Sequence, residues 1–500
     1  MEQVQKEFQS LLKKSEDITA FQSIFNLLGW DQETYMPLGA IDVRSWQMAH
    51  LAQHIHKKKT SAHFKNQLAK LIDLKTGKTK AGLNVAQNAA LREWRKDYME
   101  AVKIPSHFVH TFSKASAKSV DAWTRARANN DFKTFEPHLD GLVKLVRKKA
   151  KILGYKDHPY DALINIYEPG MTAEKLHTLF SRLKKSLISI LEEIQAKGPV
   201  DTSILQTTFP RTKQLALGND LLKILDLDPK YSRLDESTHP FSTSMHPHDS
   251  RITTRIHEDN LLSNILSILH ECGHAFYEMG LDLEYYGSPL SESVSLGIHE
   301  SQSRWWETRI GRSYSFWEHF YPSLQKHFSD FKSIPLDQFY KAIHEVKPSL
   351  VRVEADEVTY CLHIILRFEI ELALLDESLE VKDLPKAWNE KSEELLGIAP
   401  PTDALGCMQD IHWSMGELGY FPTYALGNLY ASHFFETFEK EHSNYEERLR
   451  SGEVSFIKEW LRKNIHSKGR FFMPEDLAIE VTGKPLTEEA FIKHLTSKYL

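Results

Sequence analysis

The twenty residues Leu261–Gly280, LLSNILSILHECGHAFYEMG, constrain this chain more than any other stretch. Apolar residues recur at helical spacing, Asp259 or Asn260 caps the start and Gly280 supplies a stop, so a helix is predicted. Inside it stands His270-Glu271-Cys272-Gly273-His274. Residues four apart lie about 40° apart around a helix, so both imidazoles leave one face and offer a metal ion two ligands. Glu271 is about 100° round from His270, within reach of a metal-bound water but not placed to bind the ion. Cys272, about 200° from His270, points away into packing.

Catalytic zinc usually takes three protein ligands and keeps one position for water. The predicted third ligand is Glu300, in Gly297-Ile298-His299-Glu300-Ser301-Gln302. Ser288 followed by Pro289 reads as the cap and first position of a second helix that continues over 291–308. Joined by the short connection 280–287 and running antiparallel, it carries Glu300 back beside the histidines. His299 is the rival ligand, pointing about 100° away. In a chain with 25 histidines, a chance occurrence of the motif has an expectation of about 0.1. The pattern therefore needs support from elsewhere in the chain.

Composition narrows the classes. Hydrophobic residues at 41% and charged residues at 26% give ample material for a core. A formal charge of −6 leaves no basic footprint for nucleic acid, and short lysine runs such as Lys57 to Lys59 read as solvated helix ends. Three cysteines, Cys272, Cys361 and Cys407, are odd in number and far apart, which fits a reducing compartment. The N-terminus has no apolar signal core, and no apolar run reaches the roughly 18 residues of a membrane span. The expectation is a cytoplasmic protein without membrane or nucleic-acid partners.

Along the chain, amphipathic helices are predicted over 40–56, 81–103, 106–129 and 132–153, with residues 27–37 interrupting as a packed corner. Thr172 caps a helix that continues to about residue 194. Residues 230–256, rich in Ser and Thr with a short β-branched alternation, hold the strand material: a small hairpin or three-stranded sheet directly ahead of the motif helix. Further helices are predicted over 335–344, 355–374 and 383–396, and a glycine-punctuated turn over 416–424. With no repeats and no linker, residues 1–500 read as one mostly α-helical domain.

Six motifs follow one another in order: His239-Pro240-Phe241; Asp249-Ser250-Arg251-Ile252-Thr253; His270-Glu271-Cys272-Gly273-His274; His299-Glu300-Ser301-Gln302; Val351-Arg352-Val353-Glu354-Ala355-Asp356; and Gly406-Cys407-Met408-Gln409-Asp410-Ile411-His412-Trp413. Together they resemble the metallocarboxypeptidases of the carboxypeptidase Taq type. Weaker echoes at 29–37 and 160–172 extend the resemblance over nearly the whole chain. Cys272, where that family often has alanine, and Val351, where isoleucine is usual, depart from it. The resemblance implies a large, mostly α, saddle-like fold with a central groove, often a homodimer. It also implies removal of single residues from peptide C-termini with broad side-chain tolerance. The metal would be Zn2+, with Co2+ or Mn2+ as substitutes, held by His270, His274 and Glu300. Glu271 carries over as the base that activates the metal-bound water. Arg352 matches the arginine that holds the substrate's terminal carboxylate, and His412 and Tyr420 match the groups that stabilise the oxyanion.

Each of these has a plainer reading in the sequence. His412, beside Trp413, also fits a packed core histidine. Arg352 also fits a surface ion pair with Glu354. Tyr420 also fits aromatic packing with Phe421 and Tyr424, and Tyr424 is a rival donor. Asp249, Arg251 and Asp356 are the candidates for orienting the ligand histidines. Two other functions stay open at this stage: an endo-acting oligopeptidase with the same metal chemistry, and a helical peptide-binding protein carrying a relic motif.

Overall fold

Helices make up most of the structure, a computed structural model that describes residues 2–500. The first helix, Glu2–Thr34, runs unbroken through the expected corner. Leu27, Leu28 and Trp30 continue its apolar pattern, and the chain turns only at 35–37, where Pro37 disfavours a helical residue before it. With Ile41–Lys59, Ala62–Ala69 and Val85–Lys103 it encloses an apolar cluster of its own, built on Leu11, Phe64, Leu68, Leu91 and Trp94. The remaining helices share a second, larger cluster. Arg470 ties the two regions together by reaching Glu93 and Asp97 on helix Val85–Lys103 and Glu292, which precedes Glu300 in the chain.

Helices Ser106–Asn129 and Phe132–Leu153 fall where periodicity placed them, and Thr172 caps Ala173–Ala196 by accepting the Lys175 N–H. The predicted small sheet has three strands, β1 (Ser232–Glu236), β2 (Ser242–His246) and β3 (Asp249–Thr254). The central strand β3 pairs antiparallel with β2 and parallel with β1. Trp30 is buried under the guanidinium groups of Arg233 and Arg251, 5.1 and 4.5 Å from its ring, which fastens the sheet to the first helix.

The motif helix is Leu261–Gly280, and of the two expected caps it uses Asn260, which accepts the Ser263 N–H. The second helix differs from expectation. Ser288 and Pro289 open only a 3-10 turn, Pro289–Ser291, and the backbone becomes extended at Glu292. Ser295 supplies the effective cap, and the helix carrying Glu300 is Leu296–Arg304. It then widens into a π-helix, Trp305–Ile310. The helix expected from residue 355 begins instead at Tyr360. The Asp356 carboxylate accepts the N–H groups of Val358 and Thr359 and holds a turn there.

Two glycines set how closely the Glu300 helix is gripped. A Cβ on Gly273 of the motif helix would lie 2.4 Å from the Gln302 carbonyl oxygen. One on Gly427, in helix Pro422–Glu441, would lie 2.3 Å from Glu300 Cγ. Only glycine permits both approaches. No helix among the described residues is long and apolar enough to cross a membrane.

Candidate metal centre

The motif helix and the helix after it bring His270, His274 and Glu300 together, with one donor atom from each within 4.8 Å of the others. Glu300 Oε2 lies 3.6 Å from His270 Nε2 and 3.4 Å from His274 Nε2. In a tetrahedron with metal–ligand bonds of about 2.1 Å the ligand–ligand edge is about 3.4 Å, so these separations fit one zinc-sized ion. Charge fits as well. Burial opposes the charge on His270, yet the carboxylates of Glu300, Glu307 and Glu271 outweigh it and raise its pKa to about 9. Glu300 is held down at about 2, chiefly by the two histidines working against burial. The carboxylates thus draw positive charge to His270, while burial and then the neighbouring His299 push the His274 pKa down to about 4, leaving it the neutral imidazole that can bind a metal ion.

Both histidines are fixed through their other nitrogen. His270 Nδ1 lies 2.8 Å from Glu307 Oε2, and Glu307 also accepts from Arg304 Nη1 at 2.6 Å. Arg304, itself buried, is braced by Asn428 Oδ1 at 2.8 Å. His274 Nδ1 lies 2.6 Å from His299 Nδ1, and His299 Nε2 lies 2.8 Å from Glu278 Oε1. His299, the rival ligand, therefore stands behind His274 rather than in the donor group. The three residues expected to orient the histidines are engaged elsewhere: Asp249 with Arg251, and Asp356 with the turn before Tyr360. Glu307 escaped the sequence reading although a signal existed, since seven residues from Glu300 is two helical turns and nearly the same face.

Glu271 is buried beside the donor group, and burial above all raises its pKa to about 7, with Glu300 and Glu307 adding and His270 opposing. Cys272 is buried and makes no part of the donor group.

A second cluster gathers Arg352, His412, Tyr420 and Tyr424. Arg352 is buried, and its ion pair is not with the exposed Glu354 but with Asp410: Nε and Nη2 donate to Oδ1 at 3.1 and 2.8 Å. Nη1 donates to the Tyr360 hydroxyl at 3.2 Å. A guanidinium has five N–H groups, so one on Nη1 and one on Nη2 remain. Asp410 also accepts from Arg367 Nε at 2.7 Å, on its other oxygen. One carboxylate thus faces two buried guanidinium groups. Glu371 lies a turn beyond Arg367 on helix Tyr360–Leu375. Its pKa is raised to about 7 by burial, and its oxygens are occupied by Trp413, Tyr160 and Gly419. Asp410 stands in a motif but with no role the sequence assigns, and nothing in the sequence marks Arg367 or Glu371; the side chains and N–H groups that meet the two carboxylates lie more than 40 residues from them in the chain, beyond any local pattern.

His412 Nε2 lies 3.3 Å from the Tyr424 hydroxyl, while its Nδ1 is buried with no partner. Burial and then Arg352 push its pKa down to about 4, so it is a neutral imidazole. Tyr420 and Tyr424 flank it with ring centroids at 5.2 and 6.1 Å, and Tyr424 also stacks under Arg352 at 4.9 Å. Both tyrosines remain in reach of the cluster.

The sequence profile of a family described as carboxypeptidase Taq (M32) metallopeptidase matches residues 10–499. Thermostable carboxypeptidase 1 of Thermus thermophilus is 40% identical over 505 residues, covering 98% of each chain. A solved structure of Pyrococcus furiosus carboxypeptidase superposes with a TM-score of 0.95 at 35% identity, covering 99% of both chains. An M32 carboxypeptidase from Deinococcus radiodurans R1 gives the same TM-score, identity and coverage.

Proposed function

The chain belongs to the carboxypeptidase Taq (M32) metallopeptidase family, and from that premise we propose that it removes single residues from peptide C-termini, using zinc held by His270, His274 and Glu300. Cobalt or manganese would serve as substitutes, and the homodimer implied by the resemblance is part of the same proposal. When bound, such an ion supplies Lewis acidity to the scissile carbonyl and acidifies water.

The chain's own residues do the rest. Glu271, buried and with a pKa brought to about 7, takes a proton from the attacking water and returns it to the leaving amine. His412, neutral and with one ring nitrogen unpartnered, donates to the oxygen on which negative charge develops. Tyr420 is the second donor and Tyr424 its rival; one such donor is worth about 3 kcal/mol. Arg352 holds the terminal carboxylate.

The observation that carries the exopeptidase reading is the charge around Asp410. One carboxylate between Arg352 and Arg367, both buried, leaves positive charge uncompensated where two Arg352 N–H groups remain. A buried excess guanidinium calls for an anion, and a fork of two N–H groups matches a carboxylate. Broad specificity agrees with an anchor that reads the chain end and not the side chain.

Mass spectrometry of a peptide digest tests this. Free-acid peptides should shorten one residue at a time, amidated copies should persist, and a chelator should stop the shortening. Internal cleavage of amidated peptides would instead identify an endopeptidase.

A further inference from the structure

The segment carrying His412 and Tyr420 is held from beneath by one carboxylate. Glu371, on helix Tyr360–Leu375, is completely buried and its two oxygens take three donors. Oε1 accepts from Trp413 Nε1 at 2.8 Å; Oε2 accepts from the Tyr160 hydroxyl at 2.8 Å and the Gly419 N–H at 3.0 Å. Trp413 follows His412 directly, and Gly419 directly precedes Tyr420. The two anchor points therefore sit just inside the two side chains read as oxyanion donors.

Between those anchors the chain turns on Gly416 and Gly419, both at positive φ, after only one turn of helix, His412–Met415. The segment's other main-chain hydrogen bonds are internal, such as Glu417 N–H to the His412 carbonyl, or run to helix Ser106–Asn129, where Ser116 Oγ donates to the Met415 carbonyl at 3.2 Å. They shape the turn without fixing it against the helix below. Arg367, one helical turn before Glu371, pairs with Asp410, which in turn holds Arg352. A single face of helix Tyr360–Leu375 thus fastens both the carboxylate anchor and the donor segment.

We propose that Glu371 is a positioning residue for this reaction: through Trp413 and Gly419 it sets where His412 and Tyr420 stand relative to the substrate held by Arg352. It does not touch substrate. With Arg367 it makes one rigid helix face the spacer between the terminal carboxylate and the scissile carbonyl, the distance that limits removal to a single residue. The inference rests on reading His412 and Tyr420 as donors.

Glu371→Gln is the test variant. A glutamine offers one acceptor oxygen where three donors converge, and its amide hydrogens face a donor, so at least one anchor is lost while shape is kept. On metal-replete protein, kcat should fall at least about tenfold, while KM for a free-acid peptide stays within about twofold, because binding through Arg352 is retained. The Kd of a phosphinic peptide that mimics the tetrahedral state should weaken by the same factor as kcat. A purely structural role would lower the fraction of chains that bind this analogue and leave its Kd unchanged; that result overturns the proposal. Glu371→Asp, which keeps the carboxyl group but retracts it, should recover only part of kcat.

The same substitution is then made in a His412→Ala, Tyr420→Phe background. There the Glu371→Gln loss should shrink to within about twofold, because the groups it positions are gone. An undiminished loss contradicts the inference. If His412→Ala and Tyr420→Phe themselves keep wild-type kcat, the donor reading fails; if they lose kcat and Glu371→Gln does not, only the present inference fails. Should Glu371→Gln not fold, Trp413→Phe removes one anchor N–H while keeping a ring in place, and the same kcat and analogue measurements decide the outcome.

Discussion

Glu307 Oε2 stands 2.8 Å from His270 Nδ1, seven residues beyond Glu300 and within the π-helix, Trp305–Ile310, into which the Glu300 helix widens after Arg304. One stretch of chain thus supplies both Glu300, a proposed metal ligand, and the carboxylate that holds the opposing histidine. Glu307→Gln should keep the fold and weaken zinc binding about 10- to 100-fold, the usual effect of losing a carboxylate behind a ligand histidine. Competition with a chromogenic chelator measures this. Unchanged zinc affinity would remove Glu307 from the centre's support.

Glu271→Gln should retain a full equivalent of zinc and lose turnover by at least about 100-fold, the low end for a general base. Zinc content and kcat are measured on the same preparation. Wild-type turnover in the zinc-replete variant would assign the proton transfer to another group.

Gly427→Ala places a methyl group 2.3 Å from Glu300 Cγ, so either the helix or the carboxylate must move. Overpacking of this kind costs about 1–3 kcal/mol. Here the displacement also disturbs a proposed metal ligand, so the melting temperature should fall and zinc affinity should fall with it. Loss of stability with undiminished zinc affinity would show that Glu300 is not held in place by this contact.

How much of this was legible in the sequence depends on how local each relationship is. His270, His274 and Glu271 share one helix, and the period of 3.6 residues alone places them. Glu300 required a second helix, and the expectation that it lies beside the histidines agrees with the structure although the helix starts elsewhere. Ser288 and Pro289 do form a capped turn, but it ends at Ser291, and the effective cap is Ser295. The same limit explains residues 27–37. Gly29 and Pro37 looked like punctuation, yet Leu27, Leu28 and Trp30 keep the helical pattern, and Trp30 is buried against a sheet some 200 residues later. Arg352 looked like a surface partner for Glu354 because its actual partner, Asp410, is 58 residues away. Local pattern pointed to His270, Glu271, His274 and Glu300, and the family resemblance added Arg352, His412 and Tyr420; the carboxylates that hold them, Glu307, Asp410 and Glu371, are reached only through tertiary contacts.

Glu168 offers a test by pH. It is fully buried, accepts the Gly297 N–H at the start of helix Leu296–Arg304 and the Tyr430 hydroxyl, and burial raises its pKa to about 7 from 4.5. A raised folded-state pKa means the fold favours the protonated form. Its contribution is complete below about pH 4.5 and is lost as pH rises through about 7. Relative to Glu168→Gln, the wild type should therefore lose about 3 kcal/mol of stability across that window. Urea unfolding of both proteins at several pH values measures it. A constant difference between them would mean that Glu168 stays ionised in the folded protein.

The central claim is that Arg352 recognises the end of the substrate chain, and kcat/KM for a matched free-acid and amidated peptide pair tests it most directly on wild type, Arg352→Lys and Arg352→Ala. Losing the partner of a buried carboxylate costs several kcal/mol, so Arg352→Ala should lower kcat/KM for the free acid by about 100-fold or more. The already poor hydrolysis of the amide should stay nearly unchanged. Arg352→Lys should recover only part of the loss, because an ammonium keeps the charge but not the two-pronged geometry. If Arg352→Ala slows acid and amide by the same factor, Arg352 is a structural partner of Asp410 and the exopeptidase account is wrong in its central step.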